Sequence, residues 1–139
     1  MKNEIIVKIP ATSANMGPGF DCIGIALDIW NSIKVKDISE SSSKVIISGQ
    51  GEKSLDTNED NLILRSFNQI FKELDLTPPI VSIECDNQIV LARGMGSSSA
   101  ALVGGFYAAN VYAGNPFNEY DLLKMAALIE GHIDNVAPA

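Results

Sequence analysis

Short β-branched and apolar runs, one of them alternating with polar residues, fill the first third of the chain, and three- and four-residue spacing of apolar positions takes over from Asn61. Glu4 to Ile9 is apolar and β-branched and stops at Pro10, which predicts a strand. Ile23 to Trp30 is apolar at nearly every position. It fits a buried strand or one short helix, and periodicity does not separate the two. Ser32 to Ile38 alternates imperfectly, with Ile33, Val35 and Asp37 against Lys34, Lys36 and Ile38, and predicts a strand with one wet face. A polar turn over Ser39 to Ser43 leads to a short strand at Lys44 to Ser48, and Gly49 to Glu59 reads as a loop. From Asn61 the pattern changes. Leu62, Ile63, Phe67, Ile70, Phe71 and Leu74 line one face of a helix that ends before Pro78-Pro79. Ile80 to Cys85 is again strand-like, and the small-residue run Ala100 to Ala113 has helix length. Gly114-Asn115-Pro116 breaks that helix, and Asn118 caps a last one, Glu119 to about Glu130, with Asp121 in its first turn. Strands come before helices, so the expected class is α+β, a mixed sheet with helices on one side.

Composition narrows the function classes. A chain of 139 residues is one domain's length, and 46% hydrophobic with 19% charged residues fits a soluble globular protein. A net charge of −7 argues against a nucleic-acid or anionic-membrane surface, both of which need a basic patch. An acidic chain that binds phosphate must do so locally, with a divalent cation to offset the charge. Cys22 and Cys85 form no C-x-x-C and read as free thiols in a reducing compartment. Met1 to Lys8 lacks the apolar run of a signal peptide, and no stretch approaches the roughly 20 apolar residues of a membrane span. A cytoplasmic protein is expected. The ending Ala137-Pro138-Ala139 follows a polar cluster without a closing element and reads as a truncation.

Three clusters carry candidate chemistry. The first is Val90-Leu91-Ala92-Arg93-Gly94-Met95-Gly96-Ser97-Ser98-Ser99-Ala100, a glycine-serine loop between a strand and a helix. Glycine lets the backbone approach a ligand, the serines can cap the helix, and the helix N-terminus favours an anion. It reads as a phosphate cradle, or as an ordinary turn with Ser97 as N-cap. It is neither a P-loop, because no lysine follows Gly96, nor a G-x-G-x-x-G fingerprint. The second cluster, Pro10 to Asp21, puts Thr12, Ser13, Asn15 and Asp21 on a glycine-rich loop that could surround a small polar ligand or be a plain turn. The third, Glu130-Gly131-His132-Ile133-Asp134-Asn135, offers two carboxylates, an imidazole and an amide at a helix end. A lone histidine makes a poor zinc site, and magnesium held by one carboxylate plus phosphate oxygens suits it better. Without a ligand the same residues would simply close a helix.

Together the three clusters resemble the GHMP small-molecule kinases, whose phosphate-binding motif the glycine-serine loop is similar to. Within them, PATSANMGPGFDCIGIAL (Pro10 to Leu27) and EGHIDNVAPA (Glu130 to Ala139) resemble the homoserine kinase family, whereas mevalonate and galactose kinases carry a G-E-H-type segment near the N-terminus. The resemblance spans nearly the whole chain with the motifs in the family's order. It implies a GHMP-kinase N-terminal domain over residues 1–139, with the family's C-terminal domain absent, and ATP-dependent phosphorylation of the side-chain hydroxyl of L-homoserine, a step toward threonine. It implies that Val90 to Ala100 bind ATP, the loop from Arg93 to Ala100 wrapping the triphosphate with Ser97, Ser98 and Ser99 near phosphate oxygens and Mg²⁺, and that Asn61, Leu62 and Ile63 lie beside the adenine. Asn15, Asp21, His132 and Asn135 would hold homoserine, Asp21 by pairing with its ammonium group. Ser98 and Glu130 would hold Mg²⁺, and Asn135 would orient the attacking hydroxyl. No lysine–aspartate pair is evident in the motifs, so Ser98, Glu130 and Asn135 are the expected catalytic residues, acting by position and charge. Val90 stands where the family usually has proline, and the chain is about half a two-domain protein, lacking the arginines the family uses on the substrate carboxylate. A homodimer and an inactive isolated part are further expectations. A different GHMP kinase, or a nucleotide-binding domain without catalysis, are the other readings.

Overall fold

Backbone register sets which residues form the core. The computed structural model describes residues 4–14, 17, 23–131 and 134–139. β1 (Ile5–Ala14) pairs antiparallel with β2 (Gly24–Asp37). β3 (Lys44–Gly49) and β4 (Val81–Asn87) pair parallel, and β4 pairs antiparallel with β2. The result is a four-stranded mixed sheet of order β1-β2-β4-β3. Ile9, Ile33, Val35, Ile83, Cys85, Val45 and Ile47 share its buried face. The opposite face carries Lys34, which lies 3.5 Å from Glu4 and 3.9 Å from Glu84, and Lys36 also pairs with Glu84. This is the wet face expected from the alternation.

Helices α1 (Leu62–Glu73) and α2 (Ser97–Tyr112) cover the apolar face, and α3 (Glu119–Glu130) packs on α2. Phe67, Leu64 and Ile70 of α1 and Leu102 and Phe106 of α2 are fully enclosed. Asn61 caps α1, its Oδ1 accepting from the backbone N–H of Ile63 (2.9 Å) and Leu64 (3.4 Å). Asn118 caps α3 in a capping box with Asp121. Burial raises the Cys85 thiol to about 12, so this free cysteine is an inert core residue. Cys22 lies outside the described residues. No described helix is long and apolar enough to cross a membrane.

The α+β class and the helix positions agree with the sequence reading, and three boundaries differ. β1 continues through Pro10 to Ala14, because β1 is an edge strand and a missing N–H is tolerated there; the register shifts between Pro10 and Ala11. Of the two readings of Ile23 to Trp30 the strand holds, but it is largely exposed and not buried. Gly24 to Asp37 is one long strand whose first half pairs only with β1. α2 begins at Ser97, three residues before the start expected from its apolar run.

Candidate functional site

Three chain segments far apart in sequence meet at the start of α2. The loop before it uses the left-handed region at every second residue, with φ of +54° at Ala92, +68° at Gly94 and +70° at Gly96. Glycine adopts that conformation without steric cost at two of the three positions. Ala92 has a Cβ and so holds this conformation at a cost of about 1–2 kcal/mol, a local strain of the sort that clusters at ligand sites. Gly96, not Ser97, occupies the N-cap position, and no side chain caps the helix. The N–H groups of Ser97, Ser98 and Ser99 are thus the uncapped donors of the first turn. No acidic side chain occupies that turn. Arg93 stands exposed beside it and has no ion-pair partner among the described residues.

Thr12 holds this loop against the sheet. It is completely buried, and its backbone N–H donates to the Met95 carbonyl at 2.9 Å. Its hydroxyl donates to Oδ1 of Asn135 at 2.9 Å. Gly96 fits against it so closely that a Cβ there would lie 2.1 Å from Thr12 Oγ1 and 3.4 Å from Asn135 Oδ1. The third segment is the end of α3. Glu130 accepts through Oε1 from the Ser99 hydroxyl at 3.1 Å, so a carboxylate faces the first turn of α2, where the helix dipole favours it. The turn after α3 packs on the beginning of β2, since a Cβ on Gly24 would lie 2.4 Å from the Asp134 carbonyl oxygen.

The structure brings together Met95, Gly96, Ser99, Glu130 and Asn135 of the sequence-derived candidates. It distributes the serines differently from the expectation. Ser99 is buried and meets Glu130, Ser98 is exposed, and Ser97 is half-buried. Ser98 and Glu130, expected as a metal-holding pair, make no hydrogen bond with each other; Glu130 meets Ser99 instead, because helical geometry turns successive side chains in different directions. Ser97 is not the N-cap. Asn61 is buried, and its side chain is engaged in capping α1 and in donating to the Asp56 carbonyl at 2.7 Å; this accounts for the residue structurally. Leu62 packs against the core and Leu91 against Gly51. Val90 is exposed and Ala100 buried in α2. Asn15, Asp21 and His132 lie outside the described residues. No group of three metal-ligating side chains exists among the described residues. Sequence reasoning gave Thr12 no particular role, and its only signal was membership of the second cluster. A cavity of about 790 Å³ between β1, α2 and α3 is lined by apolar side chains such as Ile5, Phe106 and Leu123 and by none of the glycine loop. Its lining is mostly apolar, with Lys8 and Glu119 the charged side chains in it.

Known proteins resemble this chain in sequence and in fold. The family described as "GHMP kinases N terminal domain" matches residues 61–139. A homoserine kinase of Microchaete diplosiphon is 41% identical over 137 residues, covering 99% of this chain and 45% of the relative. One of Desulfitobacterium hafniense is 45% identical over 133 residues, covering 96% and 44%. The chain therefore spans about half the length of the curated relatives it matches. Among solved structures, a homoserine kinase from Cytophaga hutchinsonii superposes with a TM-score of 0.81 at 34% identity, covering 99% of this chain and 46% of that one. The Methanococcus jannaschii mevalonate kinase superposes with a TM-score of 0.77 at 18% identity, covering 97% and 50%. At that identity the likeness is one of fold alone.

Proposed function

This chain belongs to the GHMP kinases, and from that premise we propose that it is the nucleotide-holding part of a homoserine kinase, which transfers the terminal phosphoryl group of ATP to the side-chain hydroxyl of L-homoserine. The observation that carries the reading is the uncapped start of α2 behind Ala92, Gly94 and Gly96, clamped to β1 by Thr12. That arrangement supplies backbone donors to phosphate oxygens without a lysine, and Arg93 adds a cation in an otherwise acidic chain. The relatives named homoserine kinase support the choice of substrate.

The residues present also fit Mg²⁺. A polyphosphate at α2 would lie beside the Glu130 carboxylate, and two anions there need a cation between them. One carboxylate and a serine hydroxyl (Ser98, or Ser99 beside Glu130) leave the remaining positions to phosphate oxygens and water, the coordination magnesium prefers. Bound there, Mg²⁺ would neutralise charge on the phosphates. Phosphoryl transfer passes through a loose transition state and asks chiefly for alignment and charge compensation. Asn135, tied to the loop through Thr12, orients the attacking hydroxyl without removing its proton. Asn15, Asp21 and His132 complete the homoserine site in this reading.

Calorimetric titration of the 139-residue chain with Mg-AMPPNP, with and without L-homoserine, tests the proposal. Nucleotide binding that Gly96→Ala abolishes is the expected result. Cooperative melting without any nucleotide binding would refute the assignment of the loop.

A further inference from the structure

We infer that Thr12 is a positioning residue that fixes which end of the Asn135 amide faces the ligand. The inference rests on the proposed nucleotide site but concerns a residue and an orientation that site did not specify. The Thr12 hydroxyl is buried with its side chain and donates to Asn135 Oδ1 at 2.9 Å. An amide has one oxygen and one NH₂ group, and a hydroxyl can bond to either; but the buried Thr12 O–H has no other acceptor among the described residues, so its hydrogen goes to the amide oxygen and engages it on the sheet side. Both Nδ2 hydrogens are therefore left over, and among the described residues nothing accepts them. Asn135 itself is half-buried, and its Oδ1 is 3.4 Å from where a Gly96 Cβ would stand, so the amide lies directly against the phosphate loop. Asn135 thus adds a pair of N–H donors to the backbone donors of the loop. It binds an acceptor oxygen, that of the phosphoryl group or of the attacking hydroxyl, and has no free oxygen with which to take the hydroxyl's proton. Were Thr12 replaced by valine, the same volume would remain without the donor. The amide could then turn over and present its oxygen to the phosphates, a repulsive arrangement.

Side-chain amide NMR of the ¹⁵N-labelled 139-residue chain tests this directly. In the free protein the Asn135 NH₂ pair should be well dispersed, should collapse toward unstructured values in Thr12→Val, and should return in Thr12→Ser. Addition of Mg-AMPPNP should move the Asn135 NH₂ pair together with the Gly96 backbone amide. Movement with nucleotide alone assigns the acceptor to phosphate, and movement only after L-homoserine is added assigns it to the hydroxyl. Nucleotide affinity should fall about tenfold in Thr12→Val and stay within about twofold of the parent in Thr12→Ser. Should Thr12→Val fail to fold, Asn135→Asp keeps the acceptor for Thr12 but lacks both donors, and should melt like the parent while binding Mg-AMPPNP, or L-homoserine in its presence, at least tenfold more weakly. An Asn135 NH₂ pair unchanged by Thr12→Val, failure of Thr12→Ser to restore it, or parental affinity of Asn135→Asp for both ligands overturns the inference. A silent Gly96 amide in the parent refutes the nucleotide site instead, and the free-protein spectra still decide the role of Thr12.

Discussion

Replacing Gly96 and Gly94 by alanine separates backbone strain from steric conflict, because both residues are left-handed and only one is crowded. Gly94 has φ +68° and nothing within 4 Å of an added Cβ; Gly96 has φ +70° and Thr12 Oγ1 at 2.1 Å. A left-handed alanine costs about 1–2 kcal/mol, partly offset by the ~0.4–1 kcal/mol gained from a stiffer unfolded chain. Gly94→Ala should therefore destabilise by about 1.5 kcal/mol or less. Gly96→Ala carries the same strain and must also displace a buried side chain. Thr12 cannot turn aside without losing its bond to Asn135, worth about 1 kcal/mol, and its backbone is held to Met95. Forcing a methyl group into packed surroundings costs about 1–3 kcal/mol more. The two variants should thus differ by about 2–4 kcal/mol, a large share of a domain's usual 5–15 kcal/mol or so. With a urea slope of about 2 kcal/mol/M, their midpoints should stand roughly 1–2 M apart. A double-mutant cycle adds a second check: Thr12→Ala removes the clashing oxygen, so Gly96→Ala should cost less in that background than alone. Equal midpoints for the two glycine variants, or strict additivity in the cycle, would refute the packing argument.

Two further outcomes follow from contacts outside the loop. Asn61→Ala removes the one oxygen that accepts both cap hydrogen bonds of α1, and the donor to the Asp56 carbonyl, and should cost about 1–2 kcal/mol in urea unfolding; a loss below about 0.5 kcal/mol would discount the cap. Tyr112 packs against Phe67 and Phe71 and donates to Asp37. Burial, then that hydrogen bond and the carboxylate's charge, raise its phenol from 10.0 to about 12. The folded form holds its proton more tightly than the unfolded one, so this stabilisation is complete below pH 10 and lost as pH rises toward 12. Thermal melting between pH 9 and 12 should fall more steeply for the parent than for Tyr112→Phe, and parallel curves would exclude Tyr112 as the titrating group.

Legibility in the sequence followed the range of the interactions involved. The caps at Asn118 and Asp121 act over three residues and were readable directly. The α1 stripe was equally clear, since one apolar face at helical spacing admits no strand. Ile23 to Trp30 was ambiguous for a physical reason: Ile25 and Trp30 are 47% and 45% exposed in the described chain, so this half of β2 never shows the alternation of a strand with one buried face. Family likeness puts Asn61 beside a base, and its neighbours add that it caps its own helix. Ser97 looked like an N-cap because serine favours that position, but the loop spends it inside the helix and puts a left-handed glycine at the cap. Thr12 was hidden most completely. Its partner Asn135 is 123 positions away, and no local pattern distinguishes a threonine that clamps a loop from one that ends a strand.

The small residues of α2 explain why the site needs this particular helix. A run such as Ser97 to Tyr112 has no amphipathic stripe, and a helix apolar all round is one buried on several sides. The contacts bear this out. A Cβ on Gly104 would stand 2.3 Å from Ile33 Cδ1 and 2.6 Å from Ile9 Cδ1, on the sheet side. One on Gly105 would stand 2.6 Å from the Ile63 carbonyl oxygen and 2.7 Å from Ser66 Cβ, on the α1 side. Each glycine in mid-helix costs about 1 kcal/mol of helix propensity, so the close approach must return more than that in packing. Two neighbouring glycines seat α2 against two different elements at once, which leaves the helix little freedom to slide or roll. Its first turn is then fixed relative to Thr12 on β1, and the strained loop before it is held at both ends. Backbone donors aimed at an anion are worth most when they need not reorganise on binding. The glycines in the middle of α2 therefore serve the donors at its start, and a wider residue at either position would loosen a site it never touches.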